Sequence, residues 1–217
     1  MPVKRTNASP KKKTRRADTY QTAKTRETHD RILQSGRSIA RREGLRAASI
    51  PRVMKNAGLT VGGFYAHFTS KEAIEVEIVR TMLSDLPGRW LSGLENKTGL
   101  QWTSAVVRRY LNAAHRDDPD EGCAYPAVLS EIARATEDVR QAFVESMSTR
   151  VNMFEQQVPP FAGATSRQRA LATMALTIGG LLLARASRGS DLSDEFLKAC
   201  SKWCLPELSS EGHSPAS

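Results

Sequence analysis

The sequence predicts an all-α protein. Apolar residues recur at helical spacing through most of the 217 residues, and no stretch shows the alternating polarity of a half-buried strand. The 14 glycines and 10 prolines fall mainly between the apolar runs, where they end helices rather than interrupt them. With 40% hydrophobic residues, the chain can bury one large core, or the cores of a small and a medium domain.

Positive charge is concentrated at the N-terminus. Residues 1–26 hold nine Lys or Arg against the single acid Asp18, which accounts for +8 of the net charge of +9. A segment this polar cannot bury a core, so we expect residues 1–26 to form a disordered basic arm. Such an arm can follow phosphates or enter a minor groove. It can equally be a solubilising tail or contact another anionic surface.

Residues 27–72 predict a helix-turn-helix domain. An amphipathic helix spans Thr28–Leu45, with Gly44 as its stop signal. A second, shorter helix follows Ser49, a good N-cap residue, and must end at Gly58, since glycine readily adopts the left-handed conformation of a sharp turn.

A third helix is predicted from Val61 to about Phe68 with Thr60 as its N-cap, and Ser70 caps a fourth. Two short helices joined by a tight turn form the unit whose second helix enters the major groove of DNA. Gly62 and Gly63 open that helix, although each costs about 1 kcal/mol relative to alanine. They either permit close approach of the backbone to base edges or simply form a loose turn.

The stretch Ile50–Val79 resembles the DNA-binding domain of the TetR/AcrR family. The resemblance rests on the Ala57-Gly58-Leu59 turn, the block Phe64–Phe68 (FYAHF) and the Ser70–Ala73 (SKEA) opening of the fourth helix, and it extends over about 50 residues from Thr28. One departure is Pro51-Arg52-Val53, where the family more often has a non-proline residue before an Ile-Ala pair.

The resemblance implies which residues contact DNA: bases would meet Thr60, Val61, Gly62 and Gly63, and phosphates would meet Ser49, Arg52, Tyr65, His67 and Lys71. Tyr65 could instead belong to the core. Valine and glycine offer no paired donors to base edges, so specificity would depend on Thr60, backbone approach, thymine methyl contacts and DNA shape.

Residues 73–208 predict a larger helical domain for ligand binding and dimerisation, followed by a flexible tail at 209–217. Its helices are expected at Lys71–Leu86, Leu100–Ala114, Tyr125–Ala135, Glu137–Gln157, Ser166–Arg188 and Ser193–Trp203.

The helix at 166–188 is apolar nearly all round between Arg169 and Arg185. Its uninterrupted apolar run, Ala170–Ala184, is shorter than the ~20 residues of a membrane span, which predicts a buried helix in water. A helix without a polar face must be covered on every side. The cover is either a second subunit, through the helices at about 166–188 and 193–203 as the family resemblance also implies, or the rest of the same chain.

The family resemblance further implies a small-molecule effector, of unknown identity, in a cavity among the middle helices; no cofactor is expected. Aromatic and methionine side chains at helical spacing are the candidates, although such stripes also form plain cores. The candidate lining residues are Trp90, Trp102, Tyr110, His115, Tyr125, Phe143, Met147, Met153, Phe154 and Met174.

Three cysteines without a framework spacing favour a reducing, cytoplasmic location. Cys123 follows an acidic loop and is either a redox-sensing thiol or an ordinary buried one. Cys200 and Cys204 lie one helical turn apart, but no His or acid is arranged around them, so packing rather than metal binding is expected.

Enzyme function is disfavoured, because the sequence has no phosphate-binding glycine loop, nucleophile elbow or HExxH motif. A purely architectural DNA binder would not need the large helical body. The sequence therefore predicts a transcriptional regulator, and by family habit a repressor that binds a palindromic operator as a dimer and is released by a small molecule.

Overall fold

The computed structural model describes residues 11–84, 90–118 and 122–205, and these are predominantly helical. The N-terminal domain comprises α1 (Lys11–Glu43), α2 (Ile50–Asn56) and a short 3₁₀ helix, η1 (Val61–Ala66). The long helix α3 (Lys71–Ser84) leads into the C-terminal domain. That domain continues with α4 (Gly99–Tyr110), α5 (Ala113–Asp117), α6 (Tyr125–Ile132), α7 (Glu137–Gln157), α8 (Ser166–Ala186) and α9 (Asp191–Cys204).

Helix α1 is longer than predicted and corrects the expectation of a disordered arm over residues 1–26. The helix begins at Lys11, so residues 11–26 continue the helix that packs in the core; residues 1–10 lie outside the described residues. Extending an existing helix avoids the cost of nucleation, and Lys, Arg, Ala and Gln are good helix formers. The prediction considered residues 11–26 as an isolated segment. It did not take into account that the helix formed by the following residues can extend into them.

The N-terminal domain is held by apolar packing and by a buried hydrogen-bond relay between α1 and α2. The hydroxyl of Ser35 donates to the Val53 carbonyl oxygen over 2.8 Å, and the Asn56 amide Nδ2 donates to Ser35 Oγ over 3.0 Å. Because Ser35 is 5% exposed, these bonds satisfy a hydroxyl that water cannot reach. They fix the register of α2 on α1.

Helices α1 and α3 approach closely at Gly36. A Cβ atom at this position would lie 2.6 Å from Cδ1 of Ile78, a contact too short for real atoms. Ile78 is fully buried, together with Ile32 and Ile74 at the same interface. Glycine here permits the two helices to pack without a gap.

The turn after α2 follows the prediction at Gly58. Its φ of +67° lies in the left-handed region, where glycine has no steric penalty. The Leu59 N–H donates to the Met54 carbonyl over 2.9 Å, and the Gly58 N–H donates to that of Lys55 over 3.0 Å. This pair of bonds is a Schellman motif, which satisfies the last carbonyls of α2 and directs the chain towards η1.

In the C-terminal domain, α7 packs on α3 and on α8, and α8 packs on α9. Gly180 allows the close approach of α8 and α9, since a Cβ there would lie 2.7 Å from Cys200 Sγ. The helix predicted at Leu100–Ala114 is interrupted instead, and α4 ends at Tyr110. Asn112 then caps the separate helix α5, accepting the His115 N–H over 2.9 Å.

The two domains also meet between α6 and the loop that follows α1. The Glu131 carboxylate accepts the Arg46 backbone N–H over 2.7 Å. Gly44 has φ +92°, and a Cβ on it would lie 2.6 Å from Glu131 Oε1. A side chain of α6 is therefore fitted against the backbone of the N-terminal domain.

Helix α8 is, by length and composition alone, apolar enough to cross a membrane, a criterion that core helices of soluble proteins also meet. Within this single chain, 44% of its most apolar window is buried. The chain covers one side of α8 and leaves Leu171, Leu182 and Leu183 about half exposed.

We expect Gly36→Ala to lower the free energy of unfolding by about 1–2 kcal/mol. The added methyl overpacks the interface with Ile78, and the better helix propensity of alanine offsets only part of that cost. Chemical denaturation measures the change, with Ser38→Ala on the exposed face of α1 as the control. Combining Gly36→Ala with Ile78→Val, which removes Cδ1, should cost less than the sum of the two single changes; strict additivity would contradict the contact.

Candidate functional site

The predicted third helix is a 3₁₀ helix over Val61–Ala66 rather than an α-helix reaching Phe68. Thr60 occupies its N-cap position with extended backbone, as predicted, although its side chain makes no capping hydrogen bond. Gly62 and Gly63 weaken α-helix formation in so short a segment, which accounts for the tighter winding. Phe64 and Phe68 are buried, and their rings stack 5.5 Å apart, fixing η1 on the domain core.

The outer face of η1 is exposed. Thr60, Gly62 and Gly63 are exposed, Val61 is 46% exposed and Tyr65 is 66% exposed. The alternative that Tyr65 belongs to the core is therefore wrong. The structure thus brings five of the predicted DNA-contacting residues together on one surface.

Nothing in the fold requires glycine at positions 62 and 63. Both residues have φ outside the left-handed region. A Cβ on Gly62 would meet nothing within 4 Å, and one on Gly63 would only touch the Met54 methyl at 3.8 Å. No contact within the described residues therefore accounts for the absence of side chains here.

Lys71 and Ser70 lie at the adjoining start of α3. Ser70 Oγ accepts the Ala73 N–H over 3.0 Å, which is the predicted capping bond. The Lys71 ammonium group pairs with Glu75 at 2.5 Å while its side chain stays 42% exposed. A helix N-terminus carries free N–H groups and partial positive charge, which favour an anion at this end of the surface.

Arg52 projects from α2 with its side chain 45% exposed, and it forms an ion pair with Glu43. Its two terminal nitrogens donate to the two Glu43 carboxylate oxygens over 2.7 and 2.5 Å. The bond to Arg52 lowers the pKa of Glu43, so the pair stays charged at neutral pH. Ser49 occupies the N-cap position of α2 without a side-chain capping bond and is half-buried.

His67 is half-buried behind η1, next to an aromatic stack that the sequence did not predict. The ring of His29, from α1, stacks on Phe68 at 4.5 Å, and its Nε2 lies 3.3 Å from a Glu77 carboxylate oxygen. The rings of His29 and His67 are 6.4 Å apart. His29 lies three residues before Ile32, on the same face of α1. This spacing is the sequence signal that could have identified it.

A cavity lies among helices α4, α6, α7 and α8 of the C-terminal domain. It contains about 30 Å³ of space open to water-sized molecules, within a void of about 450 Å³ that includes its mouth. Six candidate residues line it: Trp90, Tyr110, Tyr125, Met153, Phe154 and Met174. Trp102 and His115 line neighbouring pockets, whereas Phe143 and Met147 are partly buried and pack against the core.

Arg150 lines the same cavity and was missed by the sequence analysis. Its side chain is 8% exposed, its Nη2 donates to the Leu83 carbonyl at the end of α3, and its guanidinium carbon lies 4.8 Å from the Tyr125 ring centre. Burial lowers the pKa of Arg150. The sequence signal that could have identified Arg150 is its position on the apolar stripe of α7, four residues before Phe154.

Two tyrosine hydroxyls are buried in the wall of the cavity. Among the described residues, Tyr125 Oη has no hydrogen-bond partner, and Tyr110 Oη has only the Cys123 thiol beside it. Burial raises the pKa of both phenols, that of Tyr125 to about 12, so both are protonated donors at neutral pH. Leu91, Val106, Thr177 and Ile178 complete the lining and were also not predicted.

Cys123 is 8% exposed, which contradicts the accessible thiol that a sensor role would need. Its backbone N–H donates to His115 Nε2 over 2.9 Å. Cys200 packs against Gly180, and Cys204 is buried, where desolvation raises its pKa to about 12. In the described ranges, no three His, Cys, Asp or Glu side chains are grouped so as to hold a metal ion.

Residues 32–78 match the family described as bacterial regulatory proteins, tetR family. Two curated relatives are transcriptional repressors named KstR2. The protein of Rhodococcus jostii is 31% identical over 88 residues, 39% of this chain and 43% of the relative. That of Mycolicibacterium smegmatis is 35% identical over 90 residues, 37% of this chain and 44% of the relative. The chain thus spans less than half the length of the curated relatives it matches.

Solved structures resemble the fold over most of the chain. Reduced NemR from Escherichia coli has a TM-score of 0.66 and 22% identity, covering 80% of this chain and 95% of that one. A TetR-family regulator from Agrobacterium tumefaciens has a TM-score of 0.67 and 19% identity, covering 84% and 98%.

The family model and the two curated relatives that match this part of the chain are those of DNA-binding transcription regulators. Residues 32–78 thus form a helix-turn-helix domain similar to that of the tetR family of bacterial regulatory proteins.

Proposed function

We propose that the protein is a cytoplasmic transcriptional repressor that binds a palindromic operator as a homodimer and leaves it when a small molecule occupies the cavity of the C-terminal domain. The KstR2 relatives are named as repressors, and their similarity extends to about two fifths of this chain. Three structural features support the proposal, one for each of its parts.

The observation that carries DNA binding is the exposed start of η1. Two adjacent glycines that the fold does not require are flanked by exposed Thr60 and Tyr65. A bare backbone can approach base edges and sugars closely, while Tyr65 and the N-terminus of α3 reach phosphates. The basic segment at the start of α1 adds positive charge to the same domain, which favours binding to the DNA backbone.

The dimer is supported by an apolar surface on α8 and α9. Leu171, Leu182 and Leu183 of α8 and Leu192 of α9 are 44–49% exposed, and Trp203 of α9 is 75% exposed. Leu171, Gly179 and Leu182 follow one helical stripe, and side chains of this size gain about 1.5–3 kcal/mol each when fully buried. A second copy of the chain, related by two-fold symmetry, would cover them and present two helix-turn-helix units to DNA.

Release by an effector is supported by the position of the cavity. Tyr125, in its lining, is the first residue of α6, and Glu131 near the other end of α6 contacts the backbone of the N-terminal domain. The end of α3 is held by Arg150 in the same lining. A ligand in the cavity would thus press on two elements that position the DNA-binding domain.

Gly62→Ala tests DNA binding separately from folding. The methyl meets no atom of the chain, so the melting temperature should stay unchanged or rise. Affinity for a duplex carrying the operator, found by selection from fragments of the source genome, should fall by about tenfold or more, because the methyl keeps the backbone from the bases. Fluorescence anisotropy measures it, with Gln101→Ala, on the remote helix α4, as the control. Undiminished affinity would contradict the proposed role of the glycines.

Leu182→Arg should convert the dimer to a monomer, because it places a charge in the centre of the apolar surface. Light scattering coupled to size-exclusion chromatography measures the mass. Val144→Arg changes a residue of similar exposure on α7 and serves as the control. A wild-type monomer, or a dimer that tolerates Leu182→Arg and not Val144→Arg, would refute this interface.

A further inference from the structure

We propose that the cavity binds an organic acid, with an apolar body and one carboxylate, and that the carboxylate binds Arg150 and the hydroxyls of Tyr110 and Tyr125. The inference rests on the proposed effector site and specifies its ligand class. Most of the cavity lining is apolar and favours an apolar ligand body. Its buried polar groups favour a charged group on the same ligand.

Arg150 supplies the positive charge. It is 8% exposed, and no carboxylate among the described residues pairs with it. Its protein partners are the neutral Leu83 carbonyl and the Tyr125 ring. A buried charge is costly unless it is paired and hydrogen-bonded, and a guanidinium presents five donors in a planar fork. An anion would supply the missing counter-charge.

Tyr110 and Tyr125 supply donors at the same place. Both hydroxyl oxygens are buried; among the described residues that of Tyr125 has no partner, and that of Tyr110 has only the weakly hydrogen-bonding thiol of Cys123 beside it. Tyr110, Tyr125 and Arg150 line one cavity, and the guanidinium carbon of Arg150 lies 4.8 Å from the Tyr125 ring centre. A carboxylate has about four acceptor sites, so it can satisfy both hydroxyls and still accept from a guanidinium.

The charge balance favours a monoanion. Arg150 brings a single positive charge, and both phenols stay neutral at physiological pH. A carboxylate would neutralise that charge, whereas a phosphate dianion would leave an excess negative charge in a buried site.

The rest of the lining suits an apolar body. Val106, Phe154, Met174 and Ile178 line the cavity with no charge. Ligands of ordinary size need about 300 Å³ or more, so the 30 Å³ now open to water-sized molecules must grow. Trp90 lines both this cavity and a neighbouring pocket of about 320 Å³, so movement of its side chain would join the two. Methionine side chains adapt readily to such changes.

Arg150 also connects ligand charge to α3. The guanidinium that would receive the carboxylate now donates to the Leu83 carbonyl, near the C-terminal end of α3. The first turn of α3 adjoins η1, so the two ends of one helix serve the ligand and the DNA surface. A carboxylate competes with the carbonyl for Arg150 and would thereby loosen the end of α3.

The test compares acids with their neutral amides of the same shape. Phenylacetate against phenylacetamide, and naphthalene-1-acetate against naphthalene-1-acetamide, are titrated into the full-length protein by isothermal calorimetry without DNA. At least one acid should bind at least about tenfold more tightly than its amide, as expected for charge-assisted hydrogen bonds. Equal binding within both pairs, or no saturable binding of either acid, would overturn the proposal.

Arg150→Met should abolish the preference for the acid, while Arg140→Met, an exposed arginine on the same helix, should leave it unchanged. Circular dichroism checks that both variants fold. If Arg150→Met does not fold, the double variant Tyr110→Phe with Tyr125→Phe decides, since it removes only two oxygens. It should reduce the preference about threefold or more; an undiminished preference in either variant would refute the assignment.

Operator binding, measured on the wild-type protein without acid, separates the two proposals. Binding to operator DNA with no preference for acids would leave the regulator function intact and remove the ligand class. Acid binding without DNA binding at any salt concentration would keep the cavity assignment and remove the regulator function.

Discussion

The close packing of α1 against α3 at Gly36 is the contact on which the arrangement depends. It brings the start of α3, and η1 just before it, onto the core formed by Ile32, Ile78, Phe64 and Phe68. A larger residue at 36 would have to displace the end of the Ile78 side chain, whose Cδ1 lies 2.6 Å from the position of the new Cβ. Close packing transmits such displacements because protein interiors have few voids to absorb them.

Helix α3 joins the two sites of the chain. Its first turn, capped by Ser70, borders the surface that bears Gly62 and Tyr65. In its last turn, the Leu83 carbonyl accepts a hydrogen bond from Arg150. A second connection runs through α6, from Tyr125 in the cavity to Glu131 against the Arg46 backbone. If each helix moves as a rigid element, these are the two paths by which the proposed ligand would act on the N-terminal domain.

Polarity is distributed differently at the two sites. The surface of η1 and its surroundings is bare and exposed, with glycine where the fold would accept alanine, and the ion pairs at Arg52 and Lys71 remain partly open to solvent. The cavity holds its polar groups in an apolar setting, where an unsatisfied guanidinium or hydroxyl is far more costly. The exposed surface suits a large polyanion that stays hydrated when it binds. The cavity suits a small ligand that loses its hydration shell when it binds.

The sequence by itself determined the all-α class, the positions of most helices, the left-handed turn at Gly58 and the exposed face of the helix-turn-helix, because these follow from local periodicity, capping and backbone freedom. The tertiary structure decided what depends on neighbours distant in sequence. It continued α1 through residues 11–26, split the helix after Tyr110 and wound Val61–Ala66 as a 3₁₀ helix. It also buried Cys123 and gathered Arg150, Tyr110 and Tyr125 around one cavity. Periodicity could place Arg150 on the apolar stripe of α7, but only packing shows that no acid of the described chain meets it there.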